Sequence, residues 1–357
     1  METQITKFYF ILGILFSFTT LNGYSQQRIK WNNDLLLPSV NRQINKGLSG
    51  VFSGFVGKEL IIAGGSNFPD NTPWRGGHKT FYRALYSKNV TKNTKWKVCQ
   101  NAIPLPLAYG VSIQLSSGIL CIGGCNAQQC SDKVFLISKK NGQIKITDFP
   151  SLPSPLANAT GALLGNCVYI AGGQERMDKQ EATNHFYVLN LTHKQNGWKE
   201  LNTWPGDYRG YAVSAAQYNG KELCFYLFSG RDYKADGYVK VLTDGYVYHP
   251  QSDKWERVAG EFPVMAATAI PVGNHAILFL GGVPKLIPGS DNHPGFDNTV
   301  RLFNTDNQNL SKLEVAPYPL AVTTNTVFRE SCFYITCGEV KPGIRTPHIL
   351  KGTFVMK

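Results

Sequence analysis

A hydrophobic run that ends in two small residues recurs six times along this chain. It reads LIIAGG closing at Gly65, LCIGG at Gly124, VYIAGG at Gly173, FYLFSG at Gly230, ILFLGG at Gly282 and FYITCG at Gly338. The closing glycines stand 59, 49, 57, 52 and 56 residues apart. Apolar runs this short, bounded by glycine, predict buried strands rather than helices. A second mark alternates with the first: an aromatic or apolar outer strand followed by proline, at 31–38, 96–106, 144–153, 198–205, 255–263 and 313–319. Its fullest version is YHPQSDKW at 248–255, where a turn precedes the tryptophan strand.

Six marks of each kind predict six four-stranded units, and a glycine pair at a period near 50 resembles the blades of kelch-type propellers. The fold expected is all-β, a six-bladed β-propeller over residues 26–357. The glycines fit a strand wedged between neighbouring blades, which must turn away where no side chain has room. The order of marks at the two ends adds a detail. An outer strand over 29–35 has no blade before it, and the last glycine mark is followed by one strand, 349–355, with no outer strand after it. Joining the two completes the sixth blade with an N-terminal strand and removes a free sheet edge.

Residues 1–25 stand outside this pattern. Lys7 precedes the apolar run at 8–18, and small residues precede Gln26, which reads as a secretory signal cleaved after Ser25. Eleven residues are too few for a bilayer, which needs about 20, and no other window is apolar enough. The expectation is a secreted protein with no membrane span in its mature form. Hydrophobic residues at 43% with 12% aromatic supply a large core, so disorder is excluded. A net charge of +12 suits an anionic ligand, but the basic residues are scattered, so no nucleic acid partner is expected. Cys121, Cys167, Cys224, Cys332 and Cys337 fall in apolar runs and read as buried thiols. Cys125 and Cys130 are close enough to bridge, with the bonded and free states both open. Histidines are dispersed, and no metal is expected.

Strand alternation puts the loop after each glycine mark on one face with the loop after each proline mark. Candidate polar groups at that mouth are Arg75, His78, Glu175, Arg176, Arg231, Asp232, His293, Glu339 and Arg345. Tyr109, Asn158 and Arg209 enter from the second loop set.

The stretch GEVKPGIRT at 338–346 resembles the N-acetylneuraminate epimerase (mutarotase) family, whose members carry G-E-x-K-P-G-x-R-T after one glycine mark. Further likeness lies in residues 60–97 and in LAYGVS at 107–112. The blade with this motif falls last here and mid-chain in better-known members, so the chain looks like a circularly permuted member. The resemblance implies conversion of α-N-acetylneuraminate to its β-anomer without a cofactor, with Glu339 as proton acceptor and Arg345 as an essential cleft residue. It also suggests a homodimer, and a periplasmic location in an organism with two membranes. A carboxylate in a closed pocket suits proton removal from an anomeric hydroxyl, and a guanidinium can hold a sugar-acid carboxylate through paired hydrogen bonds. Arg75 and Arg209 are further candidates for that anion, and Tyr109 for a sugar hydroxyl. The alternative is a propeller that binds sialic acid, another glycan or a protein without catalysis, since fold does not decide activity.

Overall fold

In a computed structural model, described over residues 27–356 except 41, 93, 180 and 234–236, the chain forms a six-bladed β-propeller with almost no helix. The expected signal segment lies outside the described residues. Blade one comprises Ser49–Val56, Glu59–Asn67, Leu85–Asn89 and Lys97–Cys99; blade two Val111–Leu115, Gly118–Ile122, Val134–Lys140 and Gln143–Phe149. Blade three is Thr160–Leu164, Cys167–Ala171, Phe186–Asn190 and Lys199–Glu200; blade four Val213–Tyr218, Leu223–Tyr233, Val239–His249 and Lys254–Val258. Blade five is Thr268–Val272, Ala276–Gly282, Asp297–Asn304 and Asn309–Val315. Blade six takes Thr326–Arg329, Cys332–Thr336 and His348–Met356 from the end of the chain and Gln27–Leu36 from its start, paired antiparallel from Gln27↔Met356 to Leu36↔His348 with a register shift between Asn32 and Leu35. The seam read from the order of marks is therefore the seam of the fold. No helix among the described residues is long and apolar enough to cross a membrane.

Each glycine mark lies at or near the end of the second strand of a blade. At the first of its two positions φ lies in the left-handed well that ordinary residues can occupy, and Ser229 (φ 57) and Cys337 (φ 60) do so. At the second, Gly230 (φ 110) and Gly338 (φ 111) are beyond that well, where a Cβ is not tolerated. This is why the pair reads GG, SG or CG but never loses its second glycine.

Six apolar clusters fill the six blade interfaces; that between blades four and five holds Phe228, Phe262, Phe279 and Phe303, all fully buried. Cys121, Cys224 and Cys337 are buried as expected, Cys167 and Cys332 half-buried, and Cys125 and Cys130 are free thiols facing each other across an antiparallel bridge.

At the axis, one residue at or just before the start of each inner strand adopts positive φ: Gly50, Tyr109, Asn158, Tyr211, Ala266 and Thr323, between 48° and 68°. Their backbones form a closed ring. The N–H of Tyr109 donates to Gly50, Asn158 to Tyr109, Tyr211 to Asn158, Ala266 to Tyr211, Thr323 to Ala266 and Gly50 to Thr323, at 2.7–3.2 Å. The left-handed turn at each position aims one N–H and one C=O around the ring, so twelve polar groups near the axis are satisfied without water. Below the ring lies a central channel of about 180 Å³; above it lies a larger cleft. The ring is the floor of that cleft, and it fixes where Tyr109, Tyr211 and Thr323 stand.

Candidate functional site

The cleft above the ring has a volume of about 310 Å³, at the small end of ligand sites. Its roof is the loops that follow the second strands of blades one, five and six. The corresponding loops of blades two and three do not line it, so the mouth is built unevenly around the axis. One wall is apolar, with Met265, Val283, Ile287 and Phe296. The ionised groups are Lys79, Arg231, Arg345 and Glu339. Three cations face one carboxylate, so the cleft favours an anion that carries apolar surface as well.

Glu339 and Arg345 belong to one short hairpin, Glu339–Lys341 paired with Ile344–Arg345. Val322 and Glu339 exchange both backbone hydrogen bonds, at 2.9 and 3.0 Å, which ties the hairpin to the edge of the ring. Gly343 turns it with φ 73°, and a Cβ there would meet the Pro73 ring at 2.4 Å. Pro342 and Gly343 thereby fold Arg345 back beside Glu339.

Glu339 Oε1 accepts from the Gly343 N–H at 2.6 Å and from Arg345 Nη1 at 2.9 Å. Oε2 has only the Thr323 hydroxyl, at 3.5 Å. One oxygen is anchored and the other is left with lone pairs for a ligand. Arg345 Nη2 donates to the Tyr109 hydroxyl at 3.1 Å, its guanidinium stacks on Phe68 at 4.7 Å, and its buried Nε finds no acceptor. Burial opposes the Arg345 charge, but Tyr109 and Glu339 outweigh it and hold its pKa above the ordinary value.

The Tyr109 oxygen also accepts from Ser66 Oγ at 3.0 Å. With two donors on its oxygen, its own proton is left for another acceptor. Burial pushes the Tyr109 phenol up, yet Lys79 and Arg345 together overcome this and hold it below its usual value of 10.0. Lys79 Nζ sits 4.8 Å from the centre of the Tyr109 ring. Across the ring floor, Arg231 lies 4.0 Å from Tyr211 and 4.9 Å from Tyr233, and its buried Nε has no acceptor. A buried donor without a partner costs about 1–3 kcal/mol, which an anion in the cleft would relieve.

Of the residues singled out from sequence, the fold brings Glu339, Arg345, Tyr109 and Arg231 together. It does not bring Arg75 or Arg209 to them. Arg75 is exposed at the rim and pairs with Asp291, which also accepts from Trp74. Arg209 is wholly buried: it forms a two-pronged pair with Asp244 at 3.0 and 3.1 Å and lies between Trp204 and Tyr246. Glu175 pairs with His185, and Arg176 with Asp178, on the exposed side of blade three. His293 is buried; desolvation, then the Lys341 charge, lowers its pKa. Lys79, Phe68 and Thr323 were not singled out. Thr323 carries a readable signal, because it holds the same place before its inner strand as Tyr109 and Asn158; Lys79 and Phe68 carry none.

A sequence profile described as N-acetylneuraminate epimerase matches residues 13–146 and 149–290. Over 236 residues the chain is 25% identical to the N-acetylneuraminate epimerase of Haemophilus influenzae (strain PittEE), covering 58% of this chain and 60% of that protein. It is 31% identical over 143 residues to the protein of that name from Yersinia enterocolitica, covering 39% and 34%. The protein of that name from Salmonella enteritidis PT4 is 25% identical over 233 residues, covering 57% and 58%. The chain thus spans about 60% or less of the length of these relatives. The profile match ends at residue 290, before the hairpin of Glu339 and Arg345. A match over most of the chain, on a six-bladed frame, settles the family: the chain belongs to the N-acetylneuraminate epimerase family.

Proposed function

We propose that this protein interconverts the anomers of N-acetylneuraminate by opening and reclosing the sugar ring. The observation that carries the reading is the Glu339 carboxylate, with one oxygen fixed by Gly343 and Arg345 and the other open to a cleft that holds a net excess of cations. The names of the relatives support the substrate class. On this reading the blade order is rotated relative to other members, which would leave the Glu339 motif beyond the profile match that ends at residue 290. The signal-like N-terminus supports export.

In this mechanism Arg231 takes the sugar carboxylate, since it is not consumed by Glu339, and Lys79 adds a second positive charge to the cleft. Glu339 Oε2 removes the proton of the anomeric hydroxyl. The bond between the anomeric carbon and the ring oxygen breaks, the anomeric carbon becomes a ketone, and the ring oxygen takes the Tyr109 proton. The open chain turns about the bond next to the ketone. The new hydroxyl then attacks the other face, returning one proton to Tyr109 while Glu339 returns the other to the new anomeric oxygen. No electron is gained or lost, and the residues end as they began. Arg345 is the positioning residue, because it holds both proton carriers at 2.9 and 3.1 Å.

The test is proton NMR of freshly released α-N-acetylneuraminate with and without the protein. Faster approach to the same equilibrium is expected. An unchanged rate with saturable line broadening would make this a binding propeller, and no effect at all would remove the substrate assignment.

A further inference from the structure

On the face of the propeller opposite the cleft, blade four carries a second group of chemically active side chains. Glu222 and Cys224 are two apart at the start of strand Leu223–Tyr233, so they share one face of the sheet. His249 ends the neighbouring strand. Pairing of Phe225 with Tyr248 places His249 opposite Cys224, and Lys254 faces His249 from the fourth strand, with Glu256 two residues on. Glu222, Cys224, His249 and Glu256 therefore meet on the side turned towards blade five.

Their atoms converge. Glu222 Oε1 lies 3.1 Å and Cys224 Sγ 3.6 Å from His249 Nδ1, and the three donor atoms are all within 4.8 Å of one another. The ring nitrogen carries at most one proton and so donates to only one of them; the Cys224 thiol also reaches the Glu222 carbonyl at 3.7 Å, and Asn219 Nδ2 lies 3.4 Å from the same nitrogen. Around a tetrahedral Zn²⁺, with bonds of about 2.0 Å to nitrogen and oxygen and about 2.3 Å to sulfur, the N–O and N–S edges are roughly 3.3 and 3.5 Å. The observed edges already stand near those lengths.

The surroundings are arranged as an outer shell would be. Glu222 Oε2 accepts from the Gln251 N–H at 3.3 Å, which turns Oε1 inward. The other ring nitrogen of His249 lies 3.5 Å from Glu256 Oε2 and has no other partner. A metal-bound histidine commonly gives that second N–H to a carboxylate. Asn219 is not a ligand, because its Oδ1 takes the N–H groups of Lys221 and Glu222. Glu222 and His249 are each 14% exposed, so solvent reaches the cluster and a water can fill the fourth position.

From this we infer that Glu222, Cys224 and His249 bind a borderline-soft divalent cation, Zn²⁺ by preference, clamping the first hairpin of blade four to its third strand. The dispersed histidines lead to an expectation of no metal from sequence, and Glu222 and Cys224 meet His249 only through strand pairing.

Co²⁺ added to the purified metal-free protein is the probe. One equivalent is expected to bind, with a thiolate-to-cobalt charge-transfer band and tetrahedral ligand-field bands that Zn²⁺ abolishes on competition. Zn²⁺ should also raise the melting temperature with metal concentration. Cys224→Ser should lose the charge-transfer band. Glu256→Gln, which tests the same site from the surface, should keep the band and weaken binding by about 10–100-fold. The proposal is overturned if Co²⁺ gives no such band, or if the band survives in Cys224→Ser and so belongs to another thiol. It is also overturned if Glu222→Gln and Glu256→Gln both leave affinity unchanged.

Discussion

Arg209 and Arg345 are both buried arginines paired with a carboxylate, and both stem from loops on the same face of the propeller. They differ in how much of the guanidinium is spoken for. Arg209 gives Nε to the Asp207 carbonyl at 3.3 Å, Nη1 to the Ser229 carbonyl and Asp244, and Nη2 to Asp244, with aromatic rings on two sides. Arg345 leaves Nε without an acceptor, and its partner Glu339 keeps one oxygen almost free. A closed network specifies packing, whereas a half-satisfied one costs stability unless a ligand completes it. The comparison separates a structural tie, which pins the segment entering blade four, from a working site that charge and burial alone would not distinguish.

The largest stability effect should fall on the closed network. Arg209→Met takes both guanidinium hydrogen bonds from the half-buried Asp244 and leaves it only the Tyr246 hydroxyl, so we expect a loss of about 3 kcal/mol in chemical denaturation. A loss below about 1 kcal/mol would show that the tie is not structural. Arg231→Ala should instead spare stability and raise the substrate concentration needed for half-maximal rate, by about 1.5–3 kcal/mol for a charged hydrogen bond. An unchanged substrate dependence would remove Arg231 from the anion site.

A smaller effect is expected with pH. Burial alone would raise the Asp244 pKa, but the Arg209 hydrogen bonds and charge outweigh it, and the folded value is lowered from 3.8. The contribution is therefore fully present above about pH 4, and it is lost as pH falls through the lowered folded value. Asp244→Asn should flatten acid unfolding in that window, and an equally steep acid transition would contradict the assignment. Smallest of all is Arg75→Ala, which should leave both rate and substrate dependence as they are. A rise in the substrate requirement would put Arg75 back at the cleft.

The blade count and the seam were legible because they depend on backbone geometry. The second glycine of each pair must reach a φ that other residues avoid, so it recurs whatever the loops do. The pairing of Glu339 with Arg345 was legible because both lie in one short motif with a Pro-Gly turn between them. Tyr109 was placed at the mouth by topology, but its contact with Arg345 spans 236 positions and depends on the ring of hydrogen bonds at the axis. Arg209 starts from an equivalent loop and turns inward, because Trp204 and Tyr246 build a slot that sequence spacing does not reveal. Lys79 reaches the cleft only through the fold of the 68–79 loop, which leaves no periodic mark.

The central claim is that the free oxygen of Glu339 moves the proton of the anomeric hydroxyl. Anomer exchange measured by NMR on Glu339→Gln tests it most directly, with sugar binding and melting followed on the same sample. The account predicts that exchange falls by about 10²–10⁴-fold, the usual worth of a positioned general base, while binding and folding persist. Exchange at the wild-type rate in a folded variant that binds the sugar would contradict it.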